Sequence, residues 1–137
     1  MPGLIDFAGR WVLERRIDDR LAGAVGRFEG VAELTPDGAG LAYVERGLLT
    51  LGTGAPMAAE RRYVWAAGEA GRIAVAFADG RAFHSFDPGA GTAEATHWCD
   101  PDDYRVSYDF SGWPLWRAVW QVRGPRKDYR MESVYRR

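Results

Sequence analysis

Apolar and polar residues alternate along most of the chain, most clearly in its C-terminal third. Tyr104, Val106, Tyr108 and Phe110 fall on one face, and Arg105, Ser107 and Asp109 on the other. Trp116, Ala118, Trp120 and Val122 alternate with Arg117, Val119, Gln121 and Arg123. Tyr129, Met131, Ser133 and Tyr135 alternate with Arg130, Glu132, Val134 and Arg136. A period of two belongs to β-strands, whose successive side chains point to opposite faces. Earlier strands are expected at 10–18, 27–35, 40–51, 60–67, 72–78, 81–87 and 92–99. Turn-forming clusters punctuate them: "TPDGAG", "AGEAG", "ADG", "DPGAG", "CDPDD", "SGWP" and "GPRKD".

About ten short strands joined by tight turns predict an antiparallel meander. Closing it into a barrel would remove its sheet edges. The expectation is one all-β domain over residues 1–137, a single antiparallel up-and-down β-barrel of about 8–10 strands. "LIDFAG" at 4–9 fits a short N-terminal helical turn. "APMAAERRYVWAA" at 55–67 is mixed, because Ala, Glu and Arg favour helix while "RRYVW" reads as strand.

Composition narrows the function classes. The 137 residues suffice for one core, and 47% are hydrophobic, so the chain folds. A net charge of −1 argues against a nucleic-acid binder held by charge. There is no apolar run of membrane-spanning length, and "MPGLIDFAGRW" lacks the pattern of a signal peptide. A single cysteine rules out an internal disulfide and suits a cytoplasmic location. Asparagine is absent, and Lys127 is the one lysine among 18 basic residues. That bias fits a GC-rich bacterial genome and makes Lys127 conspicuous.

"DFAGRW" followed by "VLERRI" resembles the opening of lipocalin-like (calycin) barrels, a helical turn and then Gly-x-Trp entering the first strand. The resemblance implies that Trp11 plugs the closed end and that an arginine of the last strand packs over it. Arg136 matches that role in position, with Arg123 as the alternative. The usual lipocalin disulfide and central motif are missing. "HWCDPDDY" (97–104) and "WQVRGPRKDY" (120–129) are similar to the pattern of an uncharacterised bacterial calycin-like family, which supplies no activity.

Loops of a meander alternate between the two ends of the barrel. "CDPDD" and "GPRKD" therefore meet at one end, the mouth, and the Trp11 plug falls at the other. His97 and Cys99 share a strand face, as do Tyr104 and Tyr108; Lys127 shares one with Tyr129 and Met131. With these faces inside, the candidate ligand-binding residues are His97, Cys99, Asp103, Tyr104, Tyr108, Trp120, Lys127 and Tyr129. The cavity would suit a small amphipathic or aromatic molecule with a polar or anionic head. Lys127 would pair that head, the tyrosines would orient it, and Trp120 would form an apolar wall.

Plainer roles stand beside these. Cys99 packs by default as a small buried hydrophobe. Asp102 and Asp103 form a turn beside Pro101, or Asp103 pairs Lys127 across the mouth. Two histidines and one cysteine do not make a zinc site, so no metal is expected. Some calycin barrels bind haem through one histidine. His84 would be that residue, on the face opposite Phe83, but nothing around it resembles a haem box. No cofactor is required. Two rivals remain: an enzyme using Lys127 or His97 as acid or base in the same pocket, and a ligand-free interaction module whose aromatics only fill the core. Exposed strand surface leaves a homodimer open.

Overall fold

The computed structural model describes residues 2–137. Among them, ten strands follow one another in an antiparallel meander. They are β1 (Gly9–Asp19), β2 (Ala24–Asp37), β3 (Gly40–Leu51), β4 (Met57–Ala67), β5 (Ile73–Phe77), β6 (Ala82–Phe86), β7 (Thr92–Cys99), β8 (Asp102–Asp109), β9 (Trp116–Gly124) and β10 (Lys127–Arg136). Each overlaps a stretch where alternation predicts a strand. β4 starts at Met57, earlier than expected, because Met57 and Ala58 pair with Leu49 and Leu48 of β3. Cross-strand pairing outweighs the helix preference of the alanines there.

The spatial order is β6-β5-β4-β3-β2-β1-β10-β9-β8-β7. First and last strands pair, Val12 opposite Arg136 through Asp19 opposite Tyr129. The edges of the sheet are therefore β6 and β7, in the middle of the chain, and together they make a nearly closed barrel. No backbone ladder joins them, but side chains cross the seam: the Phe83 ring lies 5.1 Å from His97, and Phe86 lies 4.3 Å from Tyr108. Glycine sets one close approach. Gly30 faces Gly47 across β2 and β3, and a Cβ on either would overlap its partner's backbone.

The closed end is buried and aromatic. A 3-10 turn, Leu4–Phe7, places Phe7 under the barrel, against Trp65, Phe110, Trp113 and Trp116. Trp11 is fully buried and its Nε1 donates to the Phe7 carbonyl at 2.9 Å. Trp11 lies at this end, and the arginine over it is Arg137, not Arg136. Its guanidinium lies 4.1 Å from the Trp11 ring centre and donates to the carbonyls of Ala8 and Asp6. Arg136 is instead on the outer face, opposite exposed Val12, and pairs with Glu14 at 2.8 Å. Strand parity explains this: inward Tyr135 forces Arg136 outward, and the chain must pass the strand end before an arginine can fold back. Arg123 stands near the mouth, opposite Asp103 and Asp128, far from that plug.

Candidate functional site

A cavity of about 260 Å³ opens at the mouth and runs down the barrel interior. Its walls are largely aromatic. Phe83 stacks on Trp120 with centroids 5.0 Å apart and planes 11° apart, and on Phe77 at 4.5 Å. Tyr63, Trp65, Tyr108 and Trp116 extend the lining, and Val122 and Met131 complete its apolar part.

Phe83 reaches the interior through an irregularity. Val75 pairs with His84, but the next residue, Ala76, pairs with Ala82, so Phe83 is an extra residue on β6. Such a bulge breaks simple alternation. Phe83 and His84 both line the cavity, contrary to the expectation that they face opposite ways. His84 Nε2 lies 2.8 Å from the Tyr108 hydroxyl. Burial, with a smaller contribution from His97, holds its pKa down at about 4. His84 is thus a neutral imidazole at neutral pH.

Halfway down stands a polar network that pattern reading overlooked. Arg15 of β1 donates to both carboxylate oxygens of Glu45 on β3, at 2.7 and 3.0 Å, and to Ser133 Oγ at 2.7 Å. The Tyr43 hydroxyl donates to Glu45 Oε1 at 2.7 Å and accepts from Tyr135 at 2.8 Å. Burial pushes the Glu45 carboxyl up, but the Arg15 fork and the Tyr43 hydroxyl outweigh it and leave it below its ordinary value. Burial likewise opposes the charge on Arg15, and Glu45 more than restores it. Both groups stay ionised and cancel. The available signal was parity: Arg15 follows Trp11 and Leu13, and Glu45 follows Leu41 and Tyr43, as charged residues on inward faces.

At the mouth, His97, Cys99, Tyr104 and Tyr129 line the cavity. "CDPDDY" and "GPRKDY" do meet there, with different partners from those expected. Lys127 Nζ lies 3.0 Å from Asp102 Oδ2 and donates to the Tyr104 hydroxyl, also at 3.0 Å. Asp103 points outward and accepts from Arg105 Nε at 2.9 Å. Parity again decides, since Asp102 and Tyr104 share the inward face and Asp103 does not. Lys127 stands at the rim and is not part of the cavity wall. The hydrogen bond to Tyr104, then the one to Asp102, raise its pKa. Cys99 is exposed at the mouth and is not a buried packing residue.

One cation was overlooked. Arg61 of β4 lines the mouth opposite Glu45 in the ladder. Among the described residues it forms no ion pair. Of the charged side chains lining the cavity, Arg15 is cancelled by Glu45, which leaves Arg61. No group of three or more His, Cys, Asp or Glu fit to hold a metal occurs among the described residues. Nor is any described helix long and apolar enough to cross a membrane.

The fold is similar to that of an S-type phycobiliprotein lyase from Guillardia theta, with a TM-score of 0.66 over 98% of this chain and 90% of that one. Identity is 11%, so the likeness is one of fold alone. No curated protein matches the sequence. A family model described as a family of unknown function, DUF6314, matches residues 7–137, and the chain belongs to that family.

Proposed function

We propose that the barrel binds a small planar aromatic molecule whose polar or anionic head stays at the mouth beside Arg61. The observation that carries this reading is the cavity itself. Its rings are arranged to receive another ring, and its one uncompensated charge is positive and lies at the entrance. A volume of about 260 Å³ lies just below the usual range for small-molecule sites, about 300–1,000 Å³. That favours a body of one or two rings over a long chain. His84 Nδ1 and Trp116 Nε1, both on lining residues, are buried without a hydrogen-bond partner. A domain built only for stability avoids such atoms.

The fold neighbour is named a phycobiliprotein lyase, which lends precedent to a barrel of this shape engaged in small-molecule chemistry. The ligand class rests on the walls of this cavity. The rival enzyme reading loses its first candidate, because a proton-transfer or Schiff-base lysine needs a lowered pKa and that of Lys127 is raised. The ligand-free module is disfavoured by an interior that its side chains do not fill.

Titration with 2-naphthoate, followed by tryptophan fluorescence, tests the proposal. Saturable quenching is expected, with binding about tenfold weaker in Arg61→Gln, the equivalent of about 1.4 kcal/mol. A linear response in the native protein rejects the proposal.

A further inference from the structure

The rim contains an assembly that bears on the chemistry of the ligand's head. Asp102 opens β8, Gly124 closes β9 and Lys127 opens β10. Gly124 has no side chain where one would strike the Asp102 carboxylate; even a methyl group there would overlap it. Asp102 can therefore lie across the end of β9 and hold the Lys127 ammonium at 3.0 Å. The same ammonium donates to the hydroxyl of Tyr104, which does line the cavity. The lysine's influence thus reaches the interior through a phenol.

Donor and acceptor bookkeeping gives the phenol a direction. An ammonium has no acceptor, so the Tyr104 oxygen must accept from Lys127. The proton of Tyr104 finds no acceptor among the described residues. A hydroxyl that accepts from a cation is polarised and becomes a stronger donor. The surroundings agree in sign. β7 presents His97 and Cys99, β10 presents Tyr129 beside Lys127, β4 presents Arg61, and β9 presents apolar Val122. Of the nearby carboxylates, Asp102 is already paired with Lys127, and Asp19, opposite Tyr129 on β1, accepts from the Ala22 backbone N–H.

We propose that Tyr104 is the residue that donates a proton in hydrogen bonding to the bound molecule, and that the head it receives is an anionic oxygen on a conjugated ring, a phenolate or enolate. The proposal rests on the cavity being a ligand site. A primary amine would meet a donor and two cations there, and a bare hydrocarbon would leave the Tyr104 proton unpaired. A phenolate oxygen accepts that proton's hydrogen bond while its ring occupies the aromatic slot.

Two probes of nearly equal shape separate this proposal from the reading beneath it: 4-nitrophenol, whose absorbance reports its ionisation, and 4-nitrotoluene, which lacks the oxygen. Both are titrated by tryptophan quenching into the native protein, Tyr104→Phe and Lys127→Met. The expected result is equal binding of 4-nitrotoluene to all three proteins. 4-Nitrophenolate should bind the native protein about tenfold more tightly than Tyr104→Phe. The pKa of bound 4-nitrophenol should fall about one unit further in the native protein, the same tenfold preference expressed as a titration. Lys127→Met, which keeps the phenol and removes its cation, should lose most of that preference. Preference surviving in Tyr104→Phe belongs to Arg61. Equal phenolate affinity in the native protein and Tyr104→Phe overturns the assignment while leaving the cavity reading intact. An unchanged preference in Lys127→Met overturns the role given to the lysine. If neither probe binds any of the proteins, the cavity reading fails and this one with it.

Discussion

The two ends of the barrel use similar residues to opposite effect. At the closed end, Phe7, Trp11, Trp113 and Trp116 meet mostly edge to face, with centroids 4.8–5.8 Å apart, and Trp116 also forms the floor of the cavity. The Trp11 N–H is satisfied by the backbone, and Arg137 covers the ring from outside. At the mouth, Phe77, Phe83 and Trp120 form a stack with one side open to the cavity. The difference is a plug. The N-terminal 3-10 turn fills one end of the sheet, and among the described residues no corresponding segment enters the other. Residues at the closed end therefore hold the fold, and those at the mouth are available to hold something else.

The comparison can be broken by mutation, beginning where the effect should be largest. Trp11→Ala empties a fully buried site and should cost about 4 kcal/mol in urea unfolding. The fraction that stays folded should keep its affinity for 2-naphthoate. A loss of affinity larger than the loss of stability would show that the two ends are coupled.

Next is the middle of the barrel. Glu45→Gln leaves Arg15 as a buried charge without its counter-ion, and a loss of about 3 kcal/mol is expected in the same assay. The double variant Arg15→Leu/Glu45→Leu should be the more stable of the two, because it removes both desolvated charges together. If the single variant is nearly neutral, water reaches the pair and the cavity is deeper than its walls suggest.

The third expectation concerns pH. The folded-state pKa of His84, about 4, lies below the ordinary 6.5. The unfolded chain therefore binds the extra proton first. Stability should be level above pH 6.5 and fall as the pH drops toward 4, by about 2 kcal/mol after allowance for partial exposure. In His84→Phe this slope should disappear from a series of urea midpoints. If it persists, His84 is not the group responsible.

How much of this was legible in the sequence depends on how local each signal is. Strand positions were, because alternation is written residue by residue; Tyr104 to Phe110 declares its inward face without reference to any other strand. The meeting of "CDPDDY" with "GPRKDY" was legible too, because a meander sends alternate turns to the same end. Partner choice at that meeting was not. Asp102 and Asp103 are identical in composition and adjacent in sequence, and only the strand's starting phase tells which one faces Lys127. Arg136 and Arg137 pose the same problem at the other end. The bulge at Phe83 could not be read from β6 alone, since it exists only against Val75 and Ala76 of β5. Arg15, Glu45 and Arg61 were visible as charges on inward faces, but their meaning differs with their partners.

By itself, then, the sequence determined an all-β meander and the alternation of its turns between two ends. These follow from side-chain period, turn chemistry and chain order, all of which are local. Tertiary structure decided that the sheet's edges meet at β6 and β7, that Arg15 and Glu45 cancel while Arg61 does not, and that the lysine reaches the cavity through Tyr104. Those outcomes depend on register and on distances of a few ångströms between residues up to 118 positions apart in sequence, as for Arg15 and Ser133. Coulomb and hydrogen-bond energies change steeply over such distances.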